Sequence, residues 1–139
     1  MEANNERIDS LKKLPLISRD YVKLIDRYLI PYQLNSSLYY YIVKLYEFGD
    51  LPQDRLVQLT GINASNVTRA IQKLSDLNYL TKKENPEDRR GFLLSLTDEG
   101  KKLYPIIKEC LKKVHNEFLA PLSKEEQQLF IEFIDRLAK

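Results

Sequence analysis

Two clusters hold the side chains best suited to chemistry. The first lies in "INASNVTRAIQKLSDLNYL" at 62–80, where Ser65, Asn66, Thr68, Arg69, Gln72 and Lys73 bring hydroxyl, amide, guanidinium and ammonium groups close together. The second is "NPEDRRGF" at 85–92, where Asp88, Arg89 and Arg90 share one turn, with Lys82 and Lys83 just before it. Such groups form hydrogen bonds and neutralise anions: cations suit phosphates, while arginine and amide side chains also suit base edges. Support for catalysis is poor. There is no Gly-rich phosphate loop, and the single Cys110 and single His115, five positions apart, lie about 140° apart around a helix. One histidine cannot build a multi-histidine metal cage and one cysteine cannot form an internal disulfide, so no catalytic residue, metal or cofactor is expected.

Elements must hold these groups, and the pattern predicts helices at both ends with a short strand pair between. Ile17, Tyr21, Leu24, Ile25 and Tyr28 recur at helical spacing over 16–29, and Pro15 either starts that helix or kinks a longer one. Asn35 or Ser36 should cap a second helix that turns Leu38, Ile42, Leu45 and Tyr46 inward and ends at Gly49 in a left-handed conformation. Pro52 fits the first turn of a short helix closed by Thr60 and Gly61. Asn63 then caps a fourth helix in which Val67, Ile71, Leu74 and Leu77 make an apolar stripe. At about 100° per residue, Ser65, Arg69, Gln72 and Asp76 point away from that stripe, with Asn66, Thr68 and Lys73 on its shoulders.

A short helix, a Thr-Gly turn and an amphipathic helix form a helix-turn-helix pattern, although two helices packed in an all-α core would read the same way. The following residues favour the former. "YLTKKE" and "FLLSLT" are β-prone runs joined by the turn-rich "NPEDRRG", and a β-hairpin after a helix-turn-helix makes a winged helix. Thr97 can cap a long helix with Asp98 and Glu99 at its positive end, and Pro105 should kink it. Ser123 and Glu126 form a capping box for a last helix carrying Leu129, Phe130, Phe133, Ile134 and Leu137. The expected fold class is mainly α with a small β-hairpin wing, a winged helix-turn-helix flanked by dimerisation helices.

The totals agree with one globular domain of 139 residues and 16.4 kDa. A net charge of +2 is only mildly basic, so any nucleic-acid case rests on where the cations sit. No apolar run approaches the roughly 20 residues that span a bilayer, and "MEANNERIDS" is too polar for a secretory signal. The expectation is a cytoplasmic protein with no membrane partner.

In element order and in these residues, the chain resembles the multiple antibiotic resistance regulator (MarR) family of bacterial winged-helix transcription factors. Asp88, Arg90, Leu96, Thr97 and Gly100 fall on the family's wing pattern of Asp-x-Arg, an apolar strand and Leu-Thr-x-x-Gly. The segment at 62–80 is similar to the family's recognition helix, with Asn63 where a serine cap is common. The resemblance implies a single protomer over 1–139, with a winged helix-turn-helix at 35–100 and a dimerisation region at 1–34 and 101–139. It further implies a homodimer that binds pseudo-palindromic double-stranded DNA; family members commonly repress transcription, and many release DNA when a small molecule or oxidant acts. Arg90 would enter the minor groove, held by Asp88.

Physical chemistry gives each residue a task in that setting. Arg69 suits guanine, Asn66 or Gln72 suits adenine, and Ser65 and Thr68 can bond bases or phosphates. Asp76 would be repelled by phosphate, which confines contact to the first three turns. A carboxylate beside Arg90 removes part of the roughly 2 kcal/mol of rotamer entropy that a free arginine carries. Arg89, Lys82 and Lys83 are then phosphate contacts. A rival function is a winged helix that binds protein and not DNA, for which association would be insensitive to salt.

Seven of the nine tyrosines lie between 21 and 46. In a fold of this family they flank the effector pocket, so Tyr21, Tyr39, Tyr40 and Tyr46 are candidate walls for a small aromatic ligand. The plainer account is a tyrosine-rich core or dimer contact. Cys110 shares one helix side with Leu103, Ile107, Val114 and Phe118 and reads as inert packing. The family's peroxide-sensing branch carries its cysteine near the amino terminus and its zinc-sensing branch needs several histidines, and this chain matches neither.

Overall fold

The apolar periodicities become elements in a computed structural model that describes residues 9–88 and 91–138. Helix α1 spans Leu14–Leu29, with Pro15 in its first turn, where a missing N–H costs nothing. It buries Ile25 and Leu29 and leaves Leu14, Leu16, Ile17 and Val22 exposed. Helix α2 spans Tyr39–Phe48 and starts later than expected. Asn35 Oδ1 accepts the Ser37 N–H at 2.9 Å and its hydroxyl at 2.7 Å, so Asn35 closes a turn of its own and caps nothing. Ser36 donates its N–H to Asp26 Oδ1 at 2.7 Å, which ties that turn to α1.

Leu38, Ile42 and Leu45 face inward as expected, but Tyr46 is 47% exposed. Its ring stacks on Tyr104 at 3.8 Å, so it is satisfied at the surface. Gly49 ends α2 with a positive φ of 83° but an extended ψ of −163°, which turns the chain into a strand and not a left-handed cap. That two-residue strand, β1 at Leu51–Pro52, has no sequence signature of its own. Pro52 consequently lies in β1 and immediately precedes α3, Gln53–Thr60, instead of occupying its first turn. Gly61 closes α3 at φ 69°, a region that L side chains rarely adopt.

Asn63 caps α4, Ala64–Asp76, by accepting the Asn66 N–H at 2.9 Å. Strands β2, Leu80–Glu84, and β3, Phe92–Leu96, follow as expected. The sheet order is β1-β3-β2, antiparallel throughout, with Leu51 opposite Leu94 and Leu80 opposite Leu96. Thus β1 gives the hairpin a third strand and joins the wing to the start of α3.

Helix α5 spans Asp98–Phe118 and runs on through Pro105 as one element. Thr97 caps it, and a side chain at Gly100 would collide with the Tyr79 carbonyl oxygen. That oxygen accepts the Thr97 N–H at 3.1 Å, while Thr97 Oγ1 donates to the Asn78 carbonyl at 2.7 Å and accepts the Gly100 N–H at 3.0 Å. Leu-Thr-x-x-Gly is therefore a joint that fixes the end of the wing and the residues after α4 onto α5. Helix α6, Lys124–Leu137, has the expected capping box.

The core holds Leu29, Tyr41, Ile42, Leu56, Val67, Ile71, Leu74, Leu94, Ile107 and Val114. Arg27 pairs with Glu117 to tie α1 to α5. By contrast α6 buries none of its residues, and Leu129, Ile131, Phe133, Ile134 and Leu137 are all exposed. Among the described residues, no helix is long and apolar enough to cross a membrane.

Candidate nucleic-acid interface

Helix α4 presents its two faces as its periodicity requires. Val67, Ala70, Ile71 and Leu74 are buried, while Ser65, Asn66, Thr68, Arg69, Gln72 and Lys73 are all exposed. Arg69 and Lys73 border an open cleft of about 490 Å³, shared with Asn66 on α4 and with Asn35 and Ser37 before α2. No ion pair among the described residues engages either cation. Gln72 Nε2 donates to Asp76 Oδ1 at 2.9 Å, so Asp76 orients a neighbour and leaves the Gln72 amide one N–H and its carbonyl for an outside partner.

Thr68 departs from expectation. Its hydroxyl donates to the Ala64 carbonyl at 2.9 Å and accepts from Gln53 Nε2 at 2.7 Å. A hydroxyl has one proton to give, so Thr68 as placed cannot donate to a base or a phosphate. Gln53, at the start of α3, was invisible as a site residue: it precedes the helix-turn-helix turn by eight positions, and only the folded pair of helices brings it to Thr68.

On the wing, Lys82 and Lys83 are exposed neighbours on β2, opposite Leu94 and Leu93 of β3. Lys83 Nζ stands 3.9 Å from Asp50 Oδ2, a solvent-screened pair that leaves the ammonium accessible. Asn85 shapes the hairpin tip: its carbonyl accepts the Asp88 N–H at 3.2 Å and its side chain the Glu87 N–H at 3.1 Å. The Asp88 carbonyl accepts the Gly91 N–H at 3.1 Å. Arg89 and Arg90 themselves lie outside the described residues. Lys82, Asn85 and Asp88 also line a cleft of about 370 Å³ that reaches Gln53, so wing and α3 meet on one side of the protein.

The four candidate tyrosines do not share one cavity. Tyr21 borders an apolar cavity of about 440 Å³ between α1, α5 and α6, with Ile17, Phe118, Phe130 and Ile134. There its hydroxyl lies 2.9 Å from His115 Nε2. Tyr39 packs edge-on against Tyr40 at 6.3 Å. Burial raises the Tyr39 phenol above its usual pKa, with smaller contributions from Tyr21 and Tyr40. Tyr46 belongs to the separate Tyr104 stack, and Tyr41, which was not a candidate, is core. Cys110 is buried, 3.6 Å from the Tyr28 carbonyl, and burial pushes its thiol pKa up, with Lys113 opposing and Glu109 adding. Both facts disfavour the reactive thiolate.

Comparison with known proteins gives this arrangement a family. A family model described as "MarR family" matches residues 39–91, which run from α2 through the wing turn. The HTH-type transcriptional regulator BilQ of Clostridioides difficile is 25% identical over 127 residues, covering 91% of this chain and 86% of BilQ. A crystal structure of a probable transcriptional regulator from Pseudomonas aeruginosa is 26% identical with a TM-score of 0.82, covering 89% of this chain and 92% of that one. A mutant MarR from E. coli, crystallised in complex with operator DNA, superposes with a TM-score of 0.85 over 97% of each chain. At 18% identity, that last likeness is one of fold.

Proposed function

Because the chain belongs to the MarR family of transcriptional regulators, we propose that it is a homodimeric repressor that binds a short inverted repeat in duplex DNA. Helix α4 enters the major groove and the wing enters the minor groove. One observation carries this reading: Ser65, Asn66, Arg69, Gln72 and Lys73 share the exposed side of a helix whose other side is locked in the core. Hydrogen-bonding groups on a rigid helix are what base readout requires. Lys82 and Lys83 take phosphates, Arg90 takes the minor groove, and Arg89 takes the backbone beside it.

The dimer region is assigned to 1–34 and 101–139, and the DNA-binding region to 35–100. Support comes from the apolar side chains that α1 and α6 leave in water: Leu14, Ile17, Leu129, Ile131, Phe133 and Ile134. A partner protomer that covers them gains roughly 25 cal/mol per Å² of apolar surface removed from water. The Tyr21–His115 pair in the cavity between these helices supports a role for a small aromatic effector, because a ligand there would alter how the two protomers meet.

Fluorescence anisotropy of the dimer with labelled duplex, repeated across a salt series, tests the reading. DNA binding through phosphates requires log affinity to fall linearly with log salt, with a slope of about −0.9 per phosphate neutralised. A weak, salt-insensitive association would instead favour the protein-contact rival.

A further inference from the structure

The pairing of Gln53 with Thr68 assigns the recognition helix a contact that its sequence did not suggest. A threonine in the middle of a DNA-reading helix is ordinarily credited with its hydroxyl. Here the hydroxyl is turned back onto the protein: it gives its one proton to the Ala64 carbonyl at 2.9 Å and takes an N–H from Gln53 at 2.7 Å. Thr68 is nevertheless exposed, on the shoulder of α4 between Asn66 and Arg69. A threonine has two branches at Cβ and a stiff χ1, so fixing the hydroxyl inward also fixes the methyl. Among base-edge features of the major groove, the one that a methyl group recognises is the C5-methyl of thymine.

We propose that Thr68 selects thymine through its methyl group, and that Gln53, reaching over from α3, is the positioning residue that holds Thr68 in the required rotamer. The inference rests on the DNA-binding reading above and adds a base preference to it. It also explains why a half-buried glutamine stands at the start of α3 with its amide directed at another helix.

Uracil lacks only the C5-methyl, so a T-to-U scan of a selected operator isolates this contact from every hydrogen bond. With the unaltered protein, uracil at one thymine per half-site should weaken binding about fourfold for each half-site, roughly fifteenfold for the two-half-site operator, since one buried methyl group is lost at each. Thr68→Val keeps the methyl and discards the hydroxyl, and should retain both affinity and the preference for thymine. Thr68→Ser keeps the hydroxyl and discards the methyl, and should bind thymine and uracil operators equally. Gln53→Ala should shrink the thymine-to-uracil ratio while leaving affinity for the uracil operator unchanged, a result that a purely structural role would not give. Circular dichroism melts confirm that each variant is folded. Two outcomes overturn the inference: indifference of the unaltered protein to uracil at every thymine, or loss of binding by folded Thr68→Val. If random-duplex selection yields no operator at all, the DNA-binding reading itself falls, and that result is distinct from an operator whose thymine methyls do not matter.

Discussion

Arg69 is the α4 side chain with the greatest capacity for base readout, being exposed, free of any ion pair among the described residues and able to make two parallel hydrogen bonds to guanine. Arg69→Ala should therefore cost about 1–3 kcal/mol against the preferred operator and relax specificity at one base position. Lys82→Ala should weaken binding to all sequences alike and reduce the salt slope by about one. Lys83→Ala should do the same, since its solvent-screened pair with Asp50 leaves the ammonium accessible. Arg90→Ala is expected to cost about 1–3 kcal/mol as well, read by anisotropy at fixed salt. Cys110 makes the opposite kind of prediction. Its raised pKa keeps the folded thiol protonated, so its contribution to stability is whole below the pKa of the unfolded thiol and is lost only as pH rises above it. Near neutral pH, iodoacetamide should label native protein far more slowly than urea-unfolded protein, and peroxide should not release DNA. Rapid native labelling, or release that a reductant reverses, would overturn this. Residue types and spacing were enough to mark the polar face of α4, but the state of the Thr68 hydroxyl was not legible, because it depends on a partner fifteen positions away.

Between residues and fold, the Thr97–Gly100 joint ties the end of the wing and the residues after α4 to the start of α5. Gly100 sits where α5 begins against the Tyr79 carbonyl, and that same carbonyl bonds Thr97. Gly100→Ala must push helix and wing apart, and should lower stability by about 1–3 kcal/mol, as overpacking does; a melt indistinguishable from the parent would contradict the joint. Asn63→Ala removes the α4 cap and should cost about 0.5–2 kcal/mol. Much of this level was readable in the sequence. The Asn63, Thr97 and Ser123 caps each mark a helix start because the local chain supplies both donor and acceptor. Asn35 misled for the same local reason, since its side chain is equally satisfied by a turn two residues on. Strand β1 was not readable: two residues carry no periodicity, and Leu51–Pro52 is a strand only because β3 lies beside it.

At the scale of the molecule, one protomer presents the whole of the proposed DNA-reading side and leaves apolar side chains of α1 and α6 exposed on another. Helix α6 is well capped yet fully buries none of its residues, an arrangement that makes sense if its apolar face meets a second copy. Phe133→Asp should yield monomers in sedimentation equilibrium and cut DNA affinity far more than any loss of helix content explains, because two linked half-sites bind as one event. An unchanged dimer would move the interface elsewhere. A two-fold dimer also dictates the form of its target, with half-sites about 34 Å, one duplex turn, apart. Selection of bound duplexes from a random pool, at a stated salt concentration near physiological, tests that claim most directly. A two-fold dimer requires enrichment of a single inverted repeat with half-site centres about ten base pairs apart; recovery of unenriched sequence, or of a lone half-site with no symmetric partner, would contradict it.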